Sequence, residues 1–562
     1  MRRIGLLALS GVLAAAGTPA WSQPAQPSEE PAGESAPGAA KREIKLNLSE
    51  AERRALESNL LLAVQRAEPG IQAAVEGQAR GAFDPILFAS ASFERRETPV
   101  ASTVQAAFGS PSQIDENEWQ YSSGLSGILP FGLSYQSTYL MTRLDSNSGF
   151  NSLRPEFRPV WVSSLKLPLL RDLVQNEANI AVRRSILGRQ IAEETFRQQI
   201  QDTLVSVDTA YWNLSAARAN LQVAQKSLQR AQELLQRSRV QYEVGTVSKV
   251  AVSQALAGEA ARDFDRIAAD AAAELAQDRL LDLIGRPTLE DYESLRIATE
   301  EPAFVEYALD EEAAAKRALE RRPELALRRK AVTDAELNLG LAENQTLPRL
   351  DLTASYTLQG LAGNQKSDPG ASAGFGVNPA FDPNSPVSAA NNPIRQNFIP
   401  KLGVPDEGKS AHSKFFKAGG NRGWSLGGRI EFPLGNHVAR ERETQARIEL
   451  RRARFELARQ RQTVLLEVRD ATRNLRSAIL GIRAAERRRA SAEETLRAEQ
   501  ERLRLGDSTP FDVLLREEDV ADAQRQQIGA LETYRNSITG LERAQGTLLE
   551  ARGVRFEEEL AR

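Results

Sequence analysis

Cysteine and histidine, two residue types that commonly act as nucleophiles, proton carriers or metal ligands, are almost absent from this sequence. The 562 residues include no cysteine and two histidines, His412 and His437. Without cysteine the chain has no thiol nucleophile, no disulfide and no cysteine-ligated metal. The histidines occupy dissimilar settings, His412 in a loop-like stretch and His437 at an expected helix start, and no glycine fingerprint joins a strand to a helix. The sequence therefore predicts no enzyme activity, no cofactor and no metal site.

The most distinctive spacing of small and polar residues marks two breaks between long helical runs. The first break contains Gly245, Thr246, Val247 and Ser248, and the second contains Gly506, Asp507, Ser508 and Thr509, followed by Pro510. Glycine and proline are unfavourable inside a helix, whereas Asp, Ser and Thr can cap a new one. The chain is therefore expected to reverse direction at each break. An ordinary helix–turn–helix would need the same residue types.

The two breaks belong to a longer internal repeat. The tip glycines are 261 residues apart, and RALESNLLLAV (54–64) matches RALERRPELAL (317–327) at an offset of 263. Asp84-Pro85 matches Leu347-Pro348 at 263, and SLKLPLL (164–170) matches RIEFPLG (429–435) at 265. Four markers in one order at nearly constant spacing indicate a duplication. Each copy predicts a helix, a strand-and-loop zone and a long helical hairpin.

A coiled-coil seam follows the long helices of both copies. In the first copy the seam is Leu214, Ala217, Leu221, Ala224, Leu228, Ala231, Leu235, Ser238 and Tyr242. In the second copy the same register holds Leu475, Ala478, Ile482, Ala485, Arg489, Ala492, Leu496, Glu499 and Leu503. We expect helices over about 48–82, 177–243 and 248–285, and again over 310–345, 436–504 and 510–549. Residues 177–243 would span about 100 Å at the usual rise per residue, and the helices alone suggest a soluble rod.

The segments between the helices alternate apolar and polar residues with a period of two. LDLTASYTLQ (350–359) and WSLGGRIEF (424–432) show this in the second copy, as do 87–94 and WVSSLKL (161–167) in the first. A soluble half-buried sheet and a lipid-facing barrel both produce such a pattern. The great helix length and the lack of elements to cover a sheet favour the barrel, with strands within 86–168 and 349–433.

The first copy contains an additional hairpin. YSSGLSGILPFGLSYQSTYLMT (121–142) gives two alternating runs around Pro130-Phe131-Gly132. We therefore expect four strands in the first copy and two in the second, with a long polar loop over 360–423. Loops of this length fit an exposed surface.

The N-terminal residues resemble a secretory signal. Arg2 and Arg3 precede the apolar run 4–16, and Ala20-Trp21-Ser22 offers small residues for cleavage after Ser22. We expect a signal peptide over 1–22, a disordered linker over 23–43 and repeats over 44–290 and 310–552, joined by a linker over 291–309 and followed by a tail over 553–562. The net charge of −3 gives no sign of nucleic-acid binding.

The sequence resembles the TolC-like outer-membrane efflux protein family. The resemblance rests on the duplication, the ALESN and ALERRPEL openings, the reversals YEVGTVS and LRLGDSTPFDVL, and the Pro-Leu pairs at the ends of the strands. The resemblance covers about 44–552. It implies a mainly α protein with a membrane β part. In this family a long coiled-coil α-helical barrel is continuous with a transmembrane β-barrel shared by a homotrimer. Six strands per protomer would give eighteen strands rather than the family's twelve, unless 121–142 packs elsewhere.

The resemblance also implies roles for the tips. Gly245, Thr246, Val247, Ser248, Gly506, Asp507, Ser508 and Thr509 correspond to hairpin tips that dock on a periplasmic adaptor. Asp512 corresponds to an aspartate of the pore constriction, where three carboxylates would form a cation-favouring ring. Alternatively, Asp512 is an ordinary acidic residue in the first turn of a helix. The sequence departs from the family at Leu515, where a second constriction carboxylate is expected, and at Ala251 in the first copy.

These features predict an outer-membrane exit duct with a long periplasmic extension, embedded in outer-membrane lipid. It would work with a periplasmic adaptor and an inner-membrane pump, driven by protons or ATP, and export small molecules passively. The alternatives are the outer-membrane component of a type I protein secretion system and a periplasmic coiled-coil scaffold without a pore.

Overall fold

The computed structural model describes residues 42–101, 112–148, 151, 153–305, 307–365 and 421–561. The predicted signal peptide, almost all of the predicted linker 23–43, most of the loop 360–423 and His412 lie outside the described residues. Within the described residues the chain consists mainly of very long helices and one large antiparallel sheet, arranged as two similar halves.

The first half begins with a short strand and two helices, continues with four long strands, and ends with a helical hairpin. Its elements are β1 Arg42–Lys45, α1 Leu48–Ser58, α2 Leu60–Arg80, β2 Ile86–Pro99, β3 Gln113–Ile128, β4 Ser134–Ser146, β5 Leu153–Pro168, α3 Glu177–Glu243 and α4 Lys249–Ile284. Between the halves lie α5 Leu289–Ser294 and β6 Leu295–Ala298, and β6 pairs in parallel with β1. The segment 291–309 thus contains most of α5 and all of β6.

The second half repeats this order with fewer strands. Its elements are α6 Glu311–Arg321, α7 Pro323–Gln345, β7 Arg349–Gln359, β8 Ala362–Gln365, β9 Asn421–Glu431, α8 His437–Arg504, α9 Pro510–Gln545, α10 Leu548–Ala551 and α11 Phe556–Ala561. The long helices agree with the predicted bounds to within a few residues. His437 begins α8, as expected.

The prediction of one continuous helix before each strand zone is wrong. Asn59 separates α1 from α2 with φ −65° and ψ 121°, and Arg322 separates α6 from α7 with φ −65° and ψ 123°. Asn59 caps α2 through its side chain, whereas Pro323 occupies the first turn of α7 and holds the preceding residue extended. The two breaks lie 263 residues apart, which is the offset of the repeat.

Each long hairpin is held together along the predicted seam. Leu214, Leu221, Ala224, Ala231 and Leu235 are buried in the first half, as are Leu475, Ala478, Ile482, Ala485 and Leu496 in the second. Leu475 and Ile482 of α8 form one core cluster with Tyr534 and Leu541 of α9. These helices are joined by small and apolar side chains, and their other faces are largely exposed.

Near the middle of the long helices, one core cluster also includes residues of β6 and of the segment after β1. Tyr211 and Trp212 of α3 pack with Leu46, Leu280 of α4 and Ile297 of β6. The Tyr211 hydroxyl donates to the carbonyl oxygen of Leu46 (3.0 Å) and accepts from the amide of Glu300 (2.9 Å). A single buried side chain therefore fastens together the two segments that follow the carboxyl ends of β1 and β6.

In the part of the chain that the structure describes, six long strands form one antiparallel sheet in the order β2-β3-β4-β5-β7-β9, and β8 pairs with the start of β5. The prediction of four strands in the first copy and two in the second is confirmed for these long strands. The helices attach at the ends of the strands, so the sheet and the hairpin tips lie at opposite ends of the long helices.

Candidate functional site: hairpin tips and an amphipathic sheet

The first tip is closed by a left-handed glycine. Gly245 has φ +79°, which only glycine adopts without strain. Its amide donates to the Tyr242 carbonyl (3.0 Å), and the Thr246 amide donates to the Gln241 carbonyl (2.9 Å). The Ser248 hydroxyl then caps α4 by accepting from the Ala251 amide at 3.4 Å. These bonds tie the last turn of α3 and the first turn of α4 to a five-residue reversal.

The second tip repeats this geometry. Gly506 has φ +81°, and its amide donates to the Leu503 carbonyl (3.1 Å). The Asp507 amide donates to the Arg502 carbonyl (2.9 Å). The Thr246 amide makes the equivalent bond to α3 at the first tip. Thr509 caps α9. The predicted tip residues therefore lie at two structurally equivalent turns.

Asp512 completes a capping box at the second tip. Its carboxylate accepts from the Thr509 amide (3.1 Å) and hydroxyl (2.6 Å), and the Thr509 hydroxyl accepts from the Asp512 amide (3.3 Å). The hydrogen bond from the Thr509 side chain, followed by that from its backbone, lowers the pKa of Asp512. An exposed carboxylate at this position is therefore charged at neutral pH. Ala251 occupies the equivalent position of the first tip, where no side-chain acceptor exists.

The sheet has one apolar and one polar face. Residues that pair directly across neighbouring strands lie on the same side of a sheet. The apolar face includes Leu87, Ala89, Ala91 and Phe93 of β2, Trp119, Tyr121 and Leu125 of β3, Tyr135, Tyr139 and Met141 of β4, Trp161 and Leu165 of β5, Leu352, Ala354 and Tyr356 of β7, and Trp424 and Leu426 of β9. Several of these side chains are exposed, including Leu87 (80 %) and Trp424 (79 %). The polar members of this face include Ser123, Ser137, Arg143 and Ser163.

The opposite face carries small polar and charged residues. Its polar residues include Ser90 and Ser92 of β2, Gln120 and Ser122 of β3, Gln136 and Thr142 of β4, Ser164 and Lys166 of β5, Thr353 and Ser355 of β7, and Ser425 and Arg429 of β9. Phe88, Leu140, Val160 and Val162 also lie on this face. An exposed apolar face opposite a polar one suits a wall between lipid and water. Within the described residues, the sheet path ends at β2 on one side and at β9 on the other.

A buried charge cluster joins both halves near the middle of the helices, and sequence reasoning missed it. The Arg552 guanidinium contacts Glu52 of α1 (2.5 Å), Asp208 of α3 (2.7 Å) and Glu542 of α9 (3.3 Å). Asp208 is fully buried and also accepts from the Thr539 hydroxyl at 2.8 Å. These residues are so far apart in the chain that no local spacing could have identified them.

Burial, followed by the neighbouring Asp208, raises the pKa of Glu52 to about 8, and burial also raises the pKa of Glu542. At neutral pH Glu52 therefore favours the protonated form, which reduces the negative charge around the guanidinium.

We expect this cluster to make stability depend on pH. Folded Glu52 keeps its proton up to about pH 8, whereas the unfolded chain loses it near the ordinary pKa of 4.5. The folded state therefore binds more protons, and the free energy of unfolding falls as the pH rises through this interval. Glu52→Gln, which resembles the protonated acid, should reduce that fall in urea titrations between pH 5 and 8. If the free energy of unfolding fell as steeply with pH in Glu52→Gln as in the unchanged protein, this role would be contradicted.

Within the described ranges, no group of three or more His, Cys, Asp or Glu side chains is arranged to hold a metal ion. In the same part of the chain, none of the helices combines the length and hydropathy of a membrane span.

Comparison with known proteins agrees with this geometry. The family model described as outer membrane efflux protein matches residues 164–286 and 394–547. The chain belongs to the outer membrane efflux protein family. The resemblance predicted from the sequence is thereby confirmed, and the family is one of outer-membrane transport proteins rather than enzymes.

Solved structures of outer membrane channels share the fold of this family member. The CmeC channel of Campylobacter jejuni is 17 % identical, with a TM-score of 0.61 over 91 % of this chain and 89 % of that one. The outer membrane protein VceC of Vibrio cholerae is 18 % identical, with a TM-score of 0.58 over 89 % and 96 %. The open state of the Neisseria gonorrhoeae MtrE channel is 17 % identical, with a TM-score of 0.55 over 89 % of each chain. A search of curated proteins found no match.

Proposed function

We propose that this protein is the passive exit duct of a tripartite efflux system, which carries small molecules across the periplasm and the outer membrane. The amphipathic six-stranded sheet at one end of very long paired helices carries this proposal. The sheet suits the membrane, and the helices are long enough to cross an aqueous compartment. A pore-free scaffold gives no reason for the exposed apolar face of the sheet.

The proposal requires more than one copy of the chain. Open strand edges are not tolerated in lipid, because backbone amides and carbonyls there have no water to bond. Pairing of the β9 edge with the β2 edge of another copy would satisfy both. Family resemblance supports three copies, closed around a common axis.

The tips are proposed to form the working end of the duct. Their distance from the sheet, along helices of 67 and 68 residues, favours a position deep in the periplasm. There they would dock on a periplasmic adaptor that links the duct to an inner-membrane pump. In a threefold assembly, the three Asp512 carboxylates would converge at the aperture.

Cellular fractionation and export together test this function. The protein should appear in the outer-membrane fraction and migrate as a trimer on gels until heated. Deletion of its gene should raise sensitivity to toxic small molecules, and the intact gene should restore resistance. Water-soluble monomers would contradict the duct, and loss of a secreted protein without a change in resistance would indicate protein secretion instead.

Replacement of Asp512 by Asn should alter cation block or conductance in planar bilayers without unfolding the trimer. The substitution removes the charge but keeps one side-chain oxygen that can accept from Thr509. Thr509→Ala is the matched control, because it removes the cap and keeps the carboxylate. Equal effects of the two variants would attribute the change to the cap, and unchanged conductance in Asp512→Asn would count against a carboxylate ring.

A further inference from the structure

The additional hairpin β3–β4 is paired along its full length inside the sheet. β2 pairs with β3 from Ile86–Ser126 to Pro99–Gln113. On the other side, β4 pairs with β5 from Ser134–Lys166 to Leu144–Glu156. The hairpin therefore separates β2 from β5, and these strands cannot pair with each other while it is in place.

The hairpin also continues both faces of the sheet in register. Tyr121 and Met141 pair on the apolar face, and the adjacent Gln120 and Thr142 pair on the polar face. The Trp119 ring lies 4.5 Å from that of Phe93 on β2, centroid to centroid. A segment packed outside the wall would have no reason to place its aromatic residues on the same face as those of its neighbours.

The turn of the hairpin is fixed to the start of the long helix α3. The Asn176 side-chain amide, which belongs to the cap of α3, donates to the Pro130 carbonyl at 3.0 Å. Gly132 has φ +91°, and a Cβ there would lie 2.5 Å from the Asp172 carbonyl oxygen. The turn therefore packs closely against the strand–helix junction rather than extending freely.

We propose that the β3–β4 hairpin is a permanent part of the membrane wall, so that three copies close a barrel of eighteen strands. This inference rests on the threefold assembly of the proposed function. Because each copy has an even number of strands along the sheet path, its edge strands β2 and β9 run in opposite directions. The β9 of one copy can therefore pair with the β2 of the next in antiparallel fashion, and the barrel is antiparallel throughout.

The width of the helical layer supports six strands rather than four. Below the sheet, α2, α3, α7 and α8 contact one another in this order. Four helices about 8–10 Å apart occupy about 32–40 Å of circumference. Six strands about 4.8 Å apart and tilted by about 40° occupy about 38 Å, whereas four occupy about 25 Å. The wall of six strands per copy therefore meets the helical tunnel without narrowing.

In the inferred assembly, the barrel is not the narrowest part of the duct. Eighteen-stranded barrels leave an open aqueous channel. Cargo that passes the hairpin tips, including bulky amphiphilic molecules, would meet no narrower section of backbone in the outer membrane.

Cysteine pairs introduced into this cysteine-free chain test the position of the hairpin. The Ser90 and Ser122 hydroxyl oxygens lie 2.6 Å apart between β2 and β3, and those of Ser137 and Ser163 lie 2.9 Å apart between β4 and β5. Both pairs, changed to cysteine, should form disulfides within one copy of the membrane-embedded trimer, since facing side chains this close can be bridged. The matched control is Ser355 and Ser425 between β7 and β9, at 2.8 Å.

Accessibility gives a second, independent readout. In outer membranes, Gln120→Cys and Thr142→Cys should react with a charged, membrane-impermeant thiol reagent, whereas Tyr121→Cys and Met141→Cys should not.

Each result distinguishes the inference from the proposed function. If the control pair forms its disulfide in the trimer but the two hairpin pairs do not, the eighteen-stranded barrel is wrong and the duct stands. The same conclusion follows if all four single cysteines react with the impermeant reagent. Failure of all three pairs contradicts the six-stranded sheet. A soluble monomer overturns the proposed function itself. An image of the trimer with eighteen strands would support the inference, and twelve would refute it.

Discussion

Replacement of Arg552 by Met is expected to lower the free energy of unfolding by about 3–5 kcal/mol, because it leaves a buried carboxylate without its cation. Asp208 is fully buried, and its charge is balanced by the guanidinium at 2.7 Å. Met keeps much of the side-chain volume, so the loss reports on charge rather than on packing. Urea titration of the detergent-solubilised protein measures the effect.

A comparison of two arginine variants separates this cluster from ordinary surface ion pairs. Arg53→Met removes a cation that pairs with Glu50 and Glu57 on the exposed face of α1. Exposed pairs contribute little, so this control should lose much less stability than Arg552→Met. Equal losses in Arg552→Met and Arg53→Met would show that burial does not make the cluster important.

Replacement of Tyr211 by Ala should also cost about 3–5 kcal/mol, the usual range for removal of a large buried aromatic side chain. The ring is fully buried, and it packs edge-on against Trp212 with centroids 5.1 Å apart. Its hydroxyl bonds both Leu46 and Glu300, so the substitution also leaves two backbone groups without their partner. Thermal and urea unfolding should both register the loss.

Tyr211→Phe is the matched variant, because it keeps the ring and removes only the hydroxyl. We expect it to cost about 1–3 kcal/mol, the range for a buried polar group that loses its hydrogen bond. If Tyr211→Phe were as destabilising as Tyr211→Ala, the hydroxyl rather than the packed ring would hold the segments together.

The sequence predicted the parts of the fold that rest on local or periodic signals. The bounds of α3 and α8 follow from unbroken helical patterns that end at glycine. The strands follow from alternation, and the pairing of their faces confirms which residues share a side. The tips follow from glycine and a capping residue, and the chain reverses at both as expected, with each glycine in the left-handed conformation.

The remaining features depend on contacts that local patterns do not report. The break at Asn59 carries no proline, and the extended residue there is stabilised by its bonds to Leu62 and, across the chain, to Leu283. The cluster around Arg552 forms only when the two ends of the chain come together. A role of Asp512 in a carboxylate ring needs other copies, so it stays a prediction, whereas its capping role lies within one turn.

The unequal chemistry of the two tips has an electrostatic consequence for any assembly with threefold symmetry. Gly245 and Gly506 shape the same reversal, yet only the second is followed by a capping carboxylate, because Ala251 stands where Asp512 stands in the other half. Around the axis, turns with this negative charge would alternate with turns that lack it. A ring-shaped binding protein with six identical subunits would therefore face two chemically distinct binding sites on the trimer, and half of its subunits would bind differently from the rest.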